Sequence, residues 1–294
     1  MKKVKKRRIK KSIKLFFAFV LVVIISFFLY TYLNREPEET NNQNTEVEEI
    51  VTNPVWNTND EILNNENNTT LDKIRYVASI DKRLEIVRDN YDKYPEILLK
   101  MLIRNPDMTE YVLGYLENYG IVTSDTIGYV FKGITPVIFQ YDTRWGYGTY
   151  GDSTIAITGC GPTALSMVIA SLTGQNTYTP YVISKFAEEK GYYSSVGTSW
   201  DLMTKGVLEF GIIGKEIPLS KNIIYKELEN GHPIICSMKP GDFTTTGHFI
   251  VLTGIKDGKI KVNDSNSRER SAKLWDYETI EYQIKNLWSF ELSN

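Results

Sequence analysis

Apolar and polar positions divide the chain into segments of different character. Residues 15–33 form an uninterrupted apolar run, whereas residues 34–70 are polar and rich in Asn, Glu and Thr. The apolar run has no charged residue and is long enough to cross a bilayer core as a helix. We therefore expect a transmembrane helix over residues 15–33, followed by a flexible stalk over residues 34–70.

Short helices joined at prolines are predicted between residues 71 and 130. One begins after Asp81, a second runs between Pro95 and Pro106, and a third ends at Gly120. This segment has two interpretations. It is either a lid, prosegment or substrate-binding arm, or a helical subdomain that packs on the main domain. We favour the packed subdomain.

The C-terminal part of the chain mixes helical and strand patterns. Apolar residues recur with helical spacing in four segments, at residues 162–173, 180–190, 200–210 and 222–230. Strand patterns begin with a short one at residues 137–139 and later dominate, at residues 233–238, 248–255 and 259–263. A turn at residues 256–259 joins the last two strands as a hairpin. Helices followed by antiparallel strands indicate an α+β domain, which we place at residues 134–290.

Charge is distributed unevenly along the chain. Nine of the 34 basic residues precede residue 15, where there is no acidic residue, so 25 basic residues face 36 acidic ones in the remainder. A basic cluster before an apolar span stays on the cytoplasmic side. We therefore expect a cytoplasmic segment at residues 1–14, a single-pass signal-anchor in the cell membrane, and an extracellular α+β domain. The alternative, a cleaved signal peptide, is disfavoured because no Ala-x-Ala-like cleavage site follows the long apolar run.

The same composition limits the partners. An acidic body argues against nucleic acid, whose binding depends on neutralising phosphates. The sequence contains no glycine-rich phosphate loop and no His/Cys cluster with metal-ligand spacing. We therefore predict no cofactor and no metal. The expected partners are a peptide or protein substrate and the membrane.

Cys160 has the setting of a catalytic nucleophile. Gly159 and Gly161 flank it, Pro162 follows, and a helical apolar pattern begins at once. Proline is tolerated in the first turn of a helix, so the thiol is placed at a helix N-terminus. There the free N–H groups and the helix dipole favour an anion, and the thiolate is the nucleophilic form of cysteine.

The chain has only two histidines, which narrows the search for a general base. His248 follows Gly247 and opens an apolar strand, so the sheet fixes its backbone while its ring faces the edge of a cleft. His232 lies in a turn between a helix and a strand, which is typical of an exposed loop histidine. We favour His248 as the base. Its alternative role is that of a hydrogen-bonded structural histidine.

Three further polar residues are candidates for orienting the base, and one for stabilising an oxyanion. Asp264 ends the strand after that of His248, where its carboxylate can accept the imidazole N–H and set the tautomer. Asn263 and Asn266 are alternative orienting groups, and the whole stretch is also ordinary turn chemistry. Gln140 lies upstream of Cys160, where a side-chain amide beside the cysteine N–H forms a two-donor oxyanion hole. A surface glutamine is the alternative.

The second cysteine raises a competing possibility. Outside the cell, two cysteines suggest a disulfide, and a bridge between Cys160 and Cys236 would remove the nucleophile. Cys236 lies within the apolar run of residues 233–238. A buried free cysteine packs as a small hydrophobe, and we favour this interpretation.

Five motifs occur in a fixed order along the chain, at residues 139–145, 159–163, 241–244, 247–252 and 262–267. Together they resemble the C39-like family of papain-like cysteine peptidases, over residues 134 to 290. The resemblance implies a papain-like fold, in which a helix bearing the cysteine packs against an antiparallel sheet bearing the histidine and the aspartate. It also implies the site residues, with Gln140, Cys160, His248 and Asp264 at the oxyanion, nucleophile, base and orienting positions.

The chain departs from the related transporter-linked peptidases in two respects. Those enzymes place the glutamine only a few residues before the cysteine, whereas here about twenty residues separate Gln140 from Cys160. The chain also lacks their transporter domains. We predict an extracytoplasmic thiol hydrolase that cleaves peptide bonds through a Cys-His-Asp triad. The alternatives are a hydrolase of cell-wall peptides or amides with the same fold, and a non-catalytic surface-binding module.

Overall fold

A helical segment opens the part of the chain that the computed structural model describes, which comprises residues 55–195 and 197–293. Its helices are α1 (Glu61–Asn64), α2 (Thr70–Ile80), α3 (Glu85–Asp89), α4 (Glu96–Arg104) and α5 (Thr109–Asn118). Short 3-10 turns at Lys82–Leu84, Tyr91–Lys93 and Pro106–Met108 connect them. The prolines act as the sequence suggests, because Pro95 directly precedes α4 and Pro106 lies just beyond its end.

Residues 55–70 differ from the prediction of a flexible stalk. Trp56 is buried, and its indole Nε1–H donates to the backbone oxygen of Ile103 at 2.9 Å. Leu63 is also buried, and a reciprocal capping box between Thr69 and Asp72 starts α2. Trp56 and Leu63 pack into the hydrophobic core of the helical segment, and this packing holds an otherwise polar stretch in place. The predicted stalk is therefore wrong for this portion.

The rest of the N-terminal prediction lies outside the described residues, namely the cytoplasmic segment at 1–14, the transmembrane helix at 15–33 and the stalk up to residue 54. In the described ranges 55–195 and 197–293, no helix has the combination of length and apolarity needed to span a membrane.

The remaining elements form a mixed helix-and-sheet domain. It begins with two short strands and three helices, β1 (Thr149–Tyr150), β2 (Ser153–Thr154), α6 (Ile155–Thr158), α7 (Cys160–Thr173) and α8 (Pro180–Glu189). A strand pair, a longer strand and a helix follow, β3 (Tyr193–Ser194), β4 (Gly197–Thr198), β5 (Ile212–Glu216) and α9 (Lys221–Glu229). The chain ends with β6 (Ile234–Met238), β7 (His248–Lys256), β8 (Lys259–Asp264), α10 (Arg268–Ala272), β9 (Leu274–Trp275), α11 (Tyr277–Ile280) and β10 (Ile284–Leu292). The predicted α+β class is confirmed.

Six of these strands form one antiparallel sheet in the order β5-β10-β6-β7-β8-β9. Successive side chains of a strand point to opposite faces, and here both faces are covered. Ile235 and Val251 pack on the side of α7, whereas Ile234 and Ile250 pack on the side of α9. Burial on both faces explains why β6 is apolar along nearly its whole length.

Two predicted elements are wrong. Residues 137–139 do not form a strand, because none of the strand pairings in the described ranges includes them. The helix predicted over residues 200–210 is instead two 3-10 turns, Trp200–Met203 and Gly206–Phe210. Thr204 leaves the helical conformation between them, with φ −120° and ψ −50°. Apolar periodicity does not distinguish one helix from two short turns that bury the same face.

The helical segment and the α+β domain share a hydrophobic core. Tyr111 of α5 stacks on Tyr147 with ring centroids 4.6 Å apart, and its hydroxyl lies 2.7 Å from Thr154 Oγ1. Tyr141 and Ala156 are buried in the same cluster as the apolar residues of α2 to α5. The favoured interpretation of the segment as a packed subdomain agrees with these contacts.

Candidate active site

The position of Cys160 follows from a break between two helices. Gly159 ends α6 with φ −89° and ψ 18°, and Cys160 is the first residue of α7. Pro162 occupies the first turn, where a missing N–H is tolerated. A Cβ on Gly161 would lie 2.9 Å from Thr198 Oγ1, so glycine allows β4 to approach the start of α7. The thiol is half-buried and free.

Strand register brings His248 and Asp264 together. Ile250 pairs with Asp264 across β7 and β8, so His248, two residues earlier on the same face, is a diagonal neighbour of the carboxylate. His248 Nε2 lies 2.7 Å from Asp264 Oδ1. This hydrogen bond leaves Nδ1 as the ring nitrogen available to the thiol. The Cys160 side chain is close enough to the imidazole to help raise the pKa of His248.

Asp264 is fully buried and accepts hydrogen bonds at both carboxylate oxygens. Besides His248, the backbone N–H of Asn266 donates to Oδ1 at 2.7 Å, and Arg270 Nε donates to Oδ2 at 2.6 Å. The Ser271 hydroxyl closes the loop, since it accepts from the Asp264 N–H at 2.9 Å. A buried carboxylate needs such partners, and here they also fix its orientation towards the imidazole.

The two buried groups shift each other's pKa. Burial alone lowers the pKa of His248, but the Asp264 carboxylate outweighs it and, with Cys160, raises that pKa above the ordinary value of 6.5. Burial likewise raises the pKa of Asp264, and the charges of His248 and Arg270 outweigh it, so that pKa is lowered. Both shifts favour the imidazolium–carboxylate form of the pair once His248 has taken a proton.

Gln140 lies beside this group and is buried. Its Nε2 donates to the Ala156 backbone oxygen at 2.7 Å, and its Oε1 accepts from the Ser265 hydroxyl at 2.8 Å. The backbone N–H of Gln140 also donates to the Ser265 carbonyl, at 2.9 Å. Two bonds hold the side-chain amide and the third holds the backbone of Gln140, and Nε2 keeps a second hydrogen. Gln140 and Cys160 line the same cleft.

The other candidates do not hydrogen-bond to the His248 ring. The Nδ2 atom of Asn263 donates to the carbonyls of Thr135 and Pro136, and Asn266 contacts Asp264 through its backbone only. His232 pairs with Glu227 at the opposite end of β6. These contacts leave Asp264 as the group that orients His248.

Cys236 is fully buried in β6, and burial raises the pKa of its thiol. It packs on the α9 side of the sheet, whereas Cys160 packs on the α7 side. Both thiols are free. The complete burial of Cys236 in the core agrees with its favoured interpretation as a core residue.

The profile of the peptidase C39-like family matches residues 134–290. The chain belongs to this family. The resemblance found in the five motifs is thereby confirmed, with the same bounds. No curated protein sequence matches the chain.

Two solved structures are similar to the chain. The peptidase domain of Streptococcus ComA, described as a bi-functional ABC transporter involved in a quorum sensing pathway, is 19% identical, with a TM-score of 0.36. The match covers 47% of this chain and 93% of that domain. A C39-like peptidase from Bacillus anthracis is 16% identical with a TM-score of 0.31, over 56% of this chain and 99% of that one.

The candidate site of this member of the C39-like family opens into a cleft of about 880 Å³. Cys160, His248 and Gln140 line it together with the loop of residues 241–247. A wall of the cleft comes from the helical segment, through residues 55–59 and the face of α4. This segment precedes the residues that match the family profile.

Sequence reasoning missed Arg270 and the contribution of α4. Ser267 caps α10 by accepting from the Arg270 N–H at 3.1 Å, so the stretch after Asp264 begins a helix as well as making a turn. A serine three residues before Arg270 is the signal that was available. Nothing in the spacing of α4 indicates that its exposed face borders the cleft of another part of the chain.

Proposed function

We propose that this chain is a thiol hydrolase that cleaves peptide bonds through Cys160, His248 and Asp264. The observation that carries the proposal is the position of the His248 imidazole. It hydrogen-bonds to a buried carboxylate at Nε2 and lies beside a half-buried thiol in a cleft large enough for a peptide. A helix bearing the cysteine against an antiparallel sheet bearing the other two residues is the papain-like arrangement.

The first step forms the nucleophile. The proton of Cys160 Sγ passes to His248 Nδ1, which produces a thiolate and an imidazolium. Asp264 stabilises the imidazolium, in keeping with the raised pKa of His248. The N-terminus of α7 favours the negative charge on sulfur.

Acyl transfer follows. The thiolate attacks the carbonyl carbon of the scissile bond, an S–C bond forms, and an electron pair moves to the carbonyl oxygen. The second Nε2 hydrogen of Gln140 and the N–H of Cys160 are the donors proposed for this oxyanion. When the intermediate collapses, the C–N bond breaks and His248 returns its proton to the leaving amine. Water then gives a proton to His248, attacks the thioester, and releases the acid and the thiol.

The place of this activity is proposed from the N-terminal sequence. The basic residues 2–14 precede an uncharged apolar run at residues 15–33, which supports a membrane anchor with a cytoplasmic N-terminus. The hydrolase then acts on peptides or proteins outside the membrane.

The test uses the full chain with Cys160→Ala and, as a matched control, Cys236→Ala. Iodoacetamide labels Cys160 in preference to Cys236, and only Cys160→Ala lowers hydrolysis, by about 10³-fold or more. The substrates are a panel of proteins and, in parallel, purified peptidoglycan, so that release of muropeptides identifies a cell-wall hydrolase. Equal labelling of both thiols, together with hydrolysis unchanged in Cys160→Ala, contradicts the proposal.

A further inference from the structure

Helix α4 has two faces with different environments. Leu98, Leu99, Leu102 and Ile103 are buried in the core of the helical segment. The other face consists of residues at positions i, i+3, i+4 and i+7, which lie on one side of a helix, and all four line the cleft of Cys160: Ile97, Lys100, Met101 and Arg104. We call these four residues the α4 stripe.

The α4 stripe is fixed relative to the candidate catalytic residues. Arg104 donates to the Thr245 hydroxyl at 3.0 Å, in the loop that leads to His248. The next residue, Asn105, donates to the Asn266 carbonyl at 2.6 Å, two residues beyond Asp264. The loop before His248 and the loop after Asp264 are therefore both tied to the end of α4. The α4 stripe is therefore a wall of the cleft that hydrogen bonds hold in a fixed position.

The charges of the cleft are not evenly distributed. Lys100 pairs with Glu96 at 2.8 Å. Arg104 is exposed, and within the described part of the chain no carboxylate lies within ion-pair distance of its guanidinium. Three carboxylates also line the cleft. Asp242 accepts a hydrogen bond from Gln283, and Asp107 lies 3.9 Å from Arg268. Glu269 lies on α10.

We propose that the α4 stripe is a specificity subsite that takes an acidic residue of the peptide substrate. Arg104 binds the substrate carboxylate, and Ile97 and Met101 contact the neighbouring apolar groups. A guanidinium that faces a cleft without a carboxylate partner is suited to bind one from a ligand. The inference rests on the proposed peptidase function and adds a substrate class to it.

The experiment compares peptide pairs that differ only by Glu or Gln, moved through successive positions on both sides of the scissile bond. The full chain prefers Glu at one or two positions by about tenfold in kcat/KM, which corresponds to about 1.4 kcal/mol. In Arg104→Gln the Glu peptide falls to the level of the Gln peptide, chiefly through KM. Arg104→Glu favours Lys at the same position. Arg75→Gln, which removes an exposed arginine far from the cleft on α2, keeps the wild-type preference.

Binding separates failure of this inference from failure of the proposed function. Fluorescence anisotropy of the same peptides is measured with full-length Cys160→Ala, alone and combined with Arg104→Gln. Arg104-dependent binding of Glu peptides without cleavage by the wild type contradicts the peptidase function and supports the subsite. Cleavage with no preference for Glu at any position, or an equal loss for both peptides in Arg104→Gln, overturns the subsite alone.

Discussion

A histidine paired with a carboxylate lies beside each end of strand β6: His232 in the turn that precedes it, and His248, the first residue of β7, opposite Met238. At one end, His232 Nδ1 lies 2.8 Å from Glu227 Oε2, and at the other, His248 Nε2 lies 2.7 Å from Asp264 Oδ1. The hydrogen-bond lengths are nearly the same. The surroundings of the two pairs differ. A histidine–carboxylate pair therefore does not by itself make a candidate active site.

Burial and neighbours distinguish the two ends. The His232 side chain is 26% exposed, whereas that of His248 is 7% exposed and its carboxylate is fully buried. Only His248 has a cysteine beside its ring and a cleft in front of it. Desolvation strengthens the charge pairing at this end, and the adjacent thiol provides a group on which the pairing can act.

The third member of each network also differs. The Ser289 hydroxyl donates to Glu227 at 2.6 Å, which leaves that carboxylate charged. At the other end, Arg270 neutralises the charge of Asp264 through its Nε. The Asp264–Arg270 unit is thus a firmly oriented acceptor without net charge. It can hold the imidazole in place while limiting how strongly the imidazolium retains its proton.

The largest expected difference between the two ends is in the effect of removing the histidine. His248→Ala removes the proposed base and lowers kcat/KM by about 10³-fold, because general acid–base catalysis contributes about 10²–10⁴-fold. His232→Ala, beside the opposite end of β6, leaves hydrolysis within about twofold of wild type. Peptide hydrolysis and the rate of Cys160 alkylation by iodoacetamide are measured for both. Equal losses in the two variants would remove the functional distinction between the ends of β6.

Much of the candidate site around His248 was predictable from the sequence, because its histidine and aspartate lie on consecutive strands. His248 opens a strand and Asp264 ends the next one, so a hairpin turn at residues 257–258 suffices to bring them to the same edge of the sheet. The paired network at the other end was not foreseen, since Glu227 approaches His232 from α9, which lies beside β6 and β7.

What the sequence could not provide were contacts between parts far apart in the chain. Asn105 meets Asn266, and Arg104 meets Thr245, across more than a hundred residues. No periodicity carries this information. Residues 137–139 show the same limit, because their apolar side chains indicate a strand while Asn263 ties the preceding carbonyls into a loop.

Gln140, which lines the cleft together with His248, provides the next test of the difference between the two ends of β6. Gln140→Ala lowers kcat by about 10²-fold with KM little changed, because an oxyanion donor acts mainly in the transition state. Alkylation of Cys160 by iodoacetamide forms no oxyanion, so its rate stays near that of wild type. A parallel fall in alkylation would mean that Gln140 supports the thiol or the fold instead.

Arg270 is a positioning residue whose replacement has a smaller effect, with a characteristic pH dependence. Arg270→Gln leaves Asp264 uncompensated, so the pKa of His248 rises further and the imidazolium becomes a poorer proton donor. We expect the maximum of kcat/KM to fall about tenfold and its alkaline limb to move to higher pH.

Ser289→Ala, which removes the corresponding partner of Glu227, is the matched control for Arg270→Gln and leaves the pH profile unchanged. A lower maximum without any shift of the alkaline limb in Arg270→Gln would assign Arg270 a purely structural role. Urea unfolding of both variants at one pH separates loss of folded protein from loss of rate.

The smallest effect concerns the stability of the His232 end. Burial raises the pKa of Glu227, but hydrogen bonds from Ser289 and His232 outweigh it, so that pKa is lowered from its ordinary value of 4.5. A lowered pKa stabilises the fold above pH 4.5, and this contribution is lost as the pH falls through the folded-state value. Glu227→Gln is therefore expected to reduce the free energy of unfolding by about 0.5–1 kcal/mol at pH 7 and by less at pH 3. Urea unfolding at both pH values measures this difference, and hydrolysis at pH 7 should be unaffected. If Glu227→Gln slowed hydrolysis at constant stability, the His232 network would influence catalysis in the cleft. The two ends of β6 would then not be functionally distinct.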